Sequence, residues 1–292
     1  MSPAPGRWWL APAKLNLFLH ITGRRADGYH RLQTVFQFLD FGDRLRFSVR
    51  EDGEIRHLRP LPGVPAETDL VVRAARLLQV ETGTPLGVDI ALDKRLPLGG
   101  GLGGGSSDAA TTLVALNRLW GTGLDEAGLA ELGLHLGADV PVFVRGRAAW
   151  AEGVGERLTP VDLPEPWYLV LCPPVHVSTA GVFSAPQLQR DCPPITIRDF
   201  LAGRPTRNVC EPVVRARHPE VAAALEALSA YGEARMTGTG ACGFVAFERQ
   251  TQARDALAVL ETRWPGFVAR GMNRIERDED RGTRDEASSE AP

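Results

Sequence analysis

Residues 96–111 read LPLGGGLGGGSSDAAT, with six glycines inside seven positions, then two serines and an alanine-rich run. Ordering glycine costs more backbone entropy than ordering any other residue, so such a run implies a backbone that something must approach closely. The first-turn N–H groups of a helix lack intrahelical partners. With the positive end of the helix they form a cradle for an anion. The pattern predicts a helix over 106–120, with Leu113 and Leu116 on its apolar side. Ser106, Ser107 and Asp108 then stand at its start, where hydroxyls can reach a phosphate or its cation. A flexible linker or a tight helix–sheet contact would also account for the glycines. A second glycine loop, TGTGACG at 237–243 ahead of the strand-like GFVAF, weighs against both. Two familiar phosphate loops are excluded. No lysine follows the glycines as GxxxxGK[ST] requires, and GLGGGS (101–106) misses GxGxxG at its last position. No acidic residue stands out as a ribose anchor, which leaves a nicotinamide dehydrogenase as a weak reading.

The rest of the chain reads as mixed α and β. LAPAKLNLFLHITG (10–23) alternates, with Leu15, Leu17 and Leu19 toward a core and Lys14, Asn16, Phe18 and His20 on the opposite face. RRADGYH (24–30) is a turn punctuated by Asp27-Gly28. Residues 32–52 read as strands split between Asp40 and Asp43, and residues 67–83 carry a helical pattern. VDIALDKRLPLGG (88–100) reads as a short strand leading into the glycines, and a second helix spans about 124–136. ADVPVFVRG (138–146) is compatible with a strand, or with a short helix capped by Asp139 that tolerates Pro141 in its first turn. Residues 149–162 predict strand-turn-strand, LPEP (163–166) a boundary, and WYLVLCPP (167–174) a strand. Beyond a Pro- and Thr-dense stretch, helices are expected over 219–231 and 251–264, with a final strand over 266–273. The tail from 274 holds almost no apolar residues, so disorder is its expected state.

Composition narrows the classes. The chain of 292 residues is 43% hydrophobic with a formal net charge of -3, enough for a core in two domains and without a nucleic-acid surface. Its apolar stretches are too short or too interrupted to span a membrane, and the N-terminus lacks the pattern of a secretory signal. Cys172, Cys192, Cys210 and Cys242 form no CxxC pair and read as packed free thiols. The histidines form no metal-binding cluster.

PLGGGLGGGSSDAA (97–110) resembles the central phosphate-binding motif of the GHMP kinases. Within that superfamily the chain resembles the 4-diphosphocytidyl-2-C-methyl-D-erythritol kinases. The residues that carry this are PAKLNLFLHITGRRADGYHRLQTVFQFLD (12–40), LGADVPVFVRGRAAWAEGVGERLTPV (136–161) and MTGTGACGFVAF (236–247). The resemblance runs from about Ala11 to Asn273, with the motifs in the expected order. It implies an α+β fold of two domains, an N-terminal β/α domain of the ribosomal-protein-S5-like type and a ferredoxin-like C-terminal domain, with the active site between them. The expected limits are 1–164, 165–273 and a polar tail over 274–292. The implied reaction is ATP-dependent phosphorylation of the 2-hydroxyl of a cytidine-diphosphate-bearing methylerythritol, in non-mevalonate isoprenoid synthesis. A cytoplasmic monomer or homodimer acting on this small molecule is expected, with no nucleic-acid or membrane partner.

The resemblance also assigns roles. Asp139 draws the proton from the acceptor hydroxyl, and Lys14 anchors it and offsets charge during transfer. The competing readings are a helix cap for Asp139 and a water-facing strand lysine for Lys14. Asn16 hydrogen-bonds the erythritol part. Tyr29 and His30 form a nucleobase pocket by stacking and edge reading, with Phe183 as a second aromatic wall and Thr239 as a further substrate contact. Pro97, Gly99, Gly100, Gly101, Gly103, Gly104, Gly105, Ser106 and Ser107 surround the ATP phosphates. Lys94 and Asp108 stand near this loop without an assigned role. Magnesium is expected to neutralise the phosphates, held by them, by water and by a serine. The stretch 186–205 has no assigned role. Homoserine or mevalonate kinase, and a catalytically silent nucleotide binder on the same fold, are the alternative functions. The Tyr29–His30 pair weighs against the first and retention of Lys14 with Asp139 against the second.

Overall fold

The alternating N-terminal run forms β1 (Trp8–Arg24), antiparallel to a longer strand, β2 (His30–Arg50). A short β3 (Ile55–His57), α1 (Leu70–Thr82) and β4 (Gly87–Asp93) lead to the glycine stretch and α2 (Gly104–Trp120). Next come α3 (Glu126–Leu134), α4 (Val140–Arg145), β5 (Ala149–Gly153) and β6 (Arg157–Pro160). The second half holds β7 (Trp167–Leu171), α5 (Thr179–Phe183), α6 (Ile197–Leu201), α7 (Glu211–Arg217) and α8 (Pro219–Ser229). It ends with β8 (Arg235–Met236), β9 (Gly243–Phe247), α9 (Gln250–Leu260) and β10 (Gly266–Met272). The computed structural model describes residues 7–25 and 28–276. The predicted turn residue Asp27 and residues 277–292 of the tail lie outside them.

One sheet joins the halves in the order β3-β4-β2-β10-β7-β9-β8, with β1 and β5 also paired to β2 and β6 to β5. The last strand therefore returns to the first half, pairing Met272 with Phe38. The largest apolar cluster packs α1, α2, α3 and α4 on the β2–β4 region through Phe38, Leu45, Ile90, Leu113 and Val140. A separate cluster packs α8 and α9 on β7 and β9 through Leu169, Leu228, Val245 and Trp264. Residues 274–276 extend the body instead of beginning a free tail: Ile275 N–H donates to Gly146 O at 2.9 Å, and its side chain packs on the first cluster. Among the described residues no helix is long and apolar enough to cross a membrane.

Three expectations are corrected. β2 is continuous where a break was expected, because Asp43 is fully buried and satisfied inside the ladder. Its carboxylate accepts the N–H groups of Arg95 at 2.6 Å and Leu96 at 2.8 Å and takes Lys94 at 2.6 Å. Second, β1 does not alternate throughout. Its register against β2 slips between Asn16 and Leu19, and such a bulge inverts the facing of later side chains. Leu19 thus lines the central cavity, while Phe18 packs against Trp150 and Phe200. Third, α2 starts at Gly104, two residues before the expected serine, with Gly103 as N-cap at φ 72°. The ambiguous 138–146 segment is helical as α4. Pro141 occupies the first turn, where its missing N–H has no helical partner to lose, and Gly146 ends the helix in the left-handed region. Cys172, just past β7, and Cys242, just ahead of β9, pack together in a third cluster.

Candidate active site

A cavity of about 280 Å³ opens where β1, the glycine stretch, the start of α4 and the second glycine loop converge. Lys14 reaches it from β1 with its side chain almost wholly buried. Three oxygens surround its ammonium: Asn16 Oδ1 at 2.5 Å, Gly101 O at 3.1 Å and Asp139 Oδ2 at 3.4 Å. Lys14 is therefore not a water-facing strand lysine. Asp139 is the N-cap residue of α4, yet its side chain makes no capping hydrogen bond. Its carboxylate, with 33% of the side chain exposed, faces Lys14 and the cavity instead. The ammonium fixes the carboxylate where a bound hydroxyl in the cavity can hand it a proton. Asn16 is more committed than expected. Its Oδ1 receives Lys14 and its Nδ2 donates to Thr34 Oγ1 at 2.9 Å, leaving one N–H for a ligand.

The glycine stretch divides in two. Its first half packs on the second loop: a Cβ at Gly101 would lie 2.2 Å from Thr237 O, and Gly101 itself has φ 76°. Gly99 and Gly100 sit against His176 and Cys242, with Pro97 beside Gly100. Cys242 N–H donates to Gly100 O at 3.1 Å, and Thr237 Oγ1 donates to Gly101 O at 3.2 Å. The second half, Gly103, Gly104 and Gly105 with Ser106, is the helix start. Ser106 is half-buried beside Gly137. Ser107, expected at the mouth with it, is fully buried, and its Oγ has no partner among the described residues. The early start of α2 turns it inward.

Behind this helix start lies a cluster that the sequence reading left unassigned. Lys94 Nζ pairs with Asp43 at 2.6 Å and Asp108 at 2.7 Å. Burial works against the Lys94 charge, but Asp108 and Asp43 more than offset it and raise its pKa. Burial, with Asp43 close by, pushes Asp108 up to about 7 despite Lys94.

A second cavity of about 560 Å³ adjoins the first, sharing Leu32, Ala138, Val154 and Phe183 with it. Here His30 and Phe183 stack at 5.2 Å between centroids and 21° between planes, and Tyr29 stands 65% exposed at the rim. Burial first, then Arg190 and Arg24, lowers the His30 pKa. Thr239 lines the first cavity and shares a hydrogen bond of 2.9 Å with Thr179 Oγ1. The structure thus brings Lys14, Asn16, Asp139, Thr239, Tyr29, His30 and Phe183 around two joined cavities. Thr34, Thr179 and Arg190 were missed. Arg190 lies in the stretch that carried no role, and only its proximity in space to His30 marks it.

Among the described residues no group of three His, Cys, Asp or Glu side chains could hold a metal ion. On the cavity side of the helix start stand the Ser106 hydroxyl, on the helix itself, and the Asp139 carboxylate, on the cavity lining. That hard-oxygen set fits a magnesium ion bound mainly through phosphates and water.

Comparison with known proteins fits this geometry. The GHMP kinases N terminal domain matches residues 69–147, and the GHMP kinases C terminal domain matches 198–266. A Nitrosococcus oceani protein named 4-diphosphocytidyl-2-C-methyl-D-erythritol kinase is 63% identical over 265 residues, 91% of this chain and 94% of the relative. One of the same name from Alkalilimnicola ehrlichii is 62% identical over 285 residues, covering 96% and 98%. A crystal structure of 4-(cytidine 5'-diphospho)-2C-methyl-D-erythritol kinase superposes with a TM-score of 0.78 at 36% identity, covering 91% of this chain and 99% of that one. A mevalonate kinase structure shares the fold at a TM-score of 0.67 and 14% identity, covering 92% and 100%.

Proposed function

Because the chain belongs to the 4-diphosphocytidyl-2-C-methyl-D-erythritol kinases of the GHMP kinase family, we propose how its residues divide the work of that reaction. The enzyme transfers the γ-phosphoryl group of ATP to the 2-hydroxyl of 4-(cytidine 5'-diphospho)-2-C-methyl-D-erythritol, in isoprenoid precursor synthesis. ADP and the 2-phospho compound are the products. Asp139 accepts the hydroxyl proton as the oxygen forms its bond to phosphorus and the bond to the ADP oxygen breaks. Lys14 holds the carboxylate in place, and Asn16 and Gly101 O hold Lys14.

The helix start at Gly103–Ser106 receives the ATP phosphates on its free N–H groups. Bound magnesium would neutralise phosphate charge, and Ser106 would be the residue that offers it a hydroxyl. Tyr29, His30 and Phe183 take the cytosine, and Thr239 faces the substrate between the two cavities. A seam near 164/165 belongs to the same reading, supported by the separate apolar clusters on either side of it. So does a cytoplasmic monomer or homodimer.

One observation carries the assignment: the Lys14–Asp139 pair opens into a cavity that is continuous with the aromatic clamp. The test is ADP release by the purified chain with ATP, magnesium and four acceptors: the cytidyl compound, its uridyl analogue, mevalonate and homoserine. Turnover with the cytidyl compound is expected. Turnover with mevalonate or homoserine alone would reject the substrate assignment, and none with any acceptor would favour a silent nucleotide binder.

A further inference from the structure

We infer that Arg190 is a positioning residue that fixes His30 as the Nδ1–H tautomer and thereby sets which nucleobase edge the clamp accepts. The inference rests on the proposed placement of cytosine beside His30. Arg190 Nε donates to His30 Nε2 at 3.1 Å. The rest of the guanidinium is tied down by carbonyls of its own loop: Leu188 O at 3.0 Å, Phe183 O at 2.8 Å and Ala185 O at 2.8 Å. One side chain therefore clamps both stacking partners, holding the His30 ring by its edge and Phe183 by its backbone.

A guanidinium has donors only and stays charged. The ring nitrogen it meets must offer a lone pair, so the single proton of neutral His30 resides on Nδ1. Charging the ring would set a second N–H against the Arg190 donor. The charged groups facing His30 are Arg190 and Arg24, both cationic, and both resist a second proton. His30 is left with one donor, Nδ1–H, and no acceptor for the ligand. Cytosine carries an unprotonated N3 beside O2 and meets such a donor. Uracil carries a hydrogen on N3 and opposes it. A site built around one fixed donor rejects a ligand that presents another donor there, because both are left unpaired.

The test reads the tautomer and the specificity separately. Long-range proton–nitrogen correlation spectra of the ligand-free full chain should show His30 as Nδ1–H. Arg190→Ala should populate the Nε2–H form. It should cut the preference for the cytidyl over the uridyl acceptor in kcat/KM by about tenfold, mostly through KM. The acid limb of the KM profile should move to higher pH, because one cation that opposes His30 protonation is gone. Arg190→Lys retains a donor and should restore part of the preference, which a purely structural role would not predict. An Nε2–H ring in the wild type overturns the inference, as does a preference that survives Arg190→Ala. If the wild type turned over neither nucleotide compound, the proposed function would fall, while the spectra would still decide the Arg190–His30 contact.

Discussion

Two buried lysines flank the same helix start, and their surroundings are opposite. Lys14 has one carboxylate partner, Asp139, a third exposed, and two neutral oxygens. Lys94 has two carboxylates, Asp43 and Asp108, both nearly or wholly buried. On the Lys14 side, charge is balanced one to one, and the carboxylate still faces open space where a hydroxyl can enter. On the Lys94 side, one cation meets two acids in a sealed place, so the protein relieves the excess by favouring a proton on Asp108. A lysine–aspartate contact therefore says little by itself. Access and charge count separate a reactive pair from a structural one.

The sharpest break of this contrast is Asp139→Asn. It keeps shape and the contact to Lys14 but removes the proton acceptor. Turnover should fall by about 10²–10⁴ in kcat. ATP binding, measured by calorimetry, and the melting temperature should stay close to wild type. Near-normal turnover would place the base elsewhere.

Asp43→Ala should do the reverse, with its main effect on stability. It strips Lys94 of one partner and leaves the Arg95 and Leu96 N–H groups without their acceptor. Breaking a buried pair of this kind costs about 3–5 kcal/mol. For a chain of this size that corresponds to a melting point lower by roughly 10 °C. A melt within a degree or two of wild type would show that the Lys94 cluster is not a structural support.

How much of this was legible in the sequence follows the same division. Lys14 and Asn16 are two apart on an alternating run, so their shared face could be read from period two alone. Asp139 could be placed at the start of either candidate element, but only the fold shows that it leaves its cap position uncapped and turns to Lys14. The Lys94 cluster was not legible, because its members stand at 43 on β2, 94 just past β4 and 108 on α2, and meet only when those elements pack. The same long-range satisfaction keeps β2 continuous through an Asp-Phe-Gly-Asp segment that locally reads as a turn. The bulge after Asn16 was equally hidden, since register is set by the partner strand and not by the run itself. Arg190 escaped because nothing at 186–205 has a period.

The smallest effect is a slope. Asp108 has an unfolded value near 3.8 and a folded value of about 7, with burial as the main cause. Between those values the native chain holds a proton that the unfolded chain has released. Stability from this group is therefore complete below the unfolded value and is lost as pH rises through about 7. Asp108→Asn removes the titration while keeping a neutral side chain of the same shape. Its melting temperature, relative to wild type, should climb by a few degrees between pH 5.5 and pH 8, since a titrating group contributes at most about 1.4 kcal/mol per pH unit. If the variant ran parallel to wild type, Asp108 would be ionised at neutral pH, and the two lysines would differ in access alone.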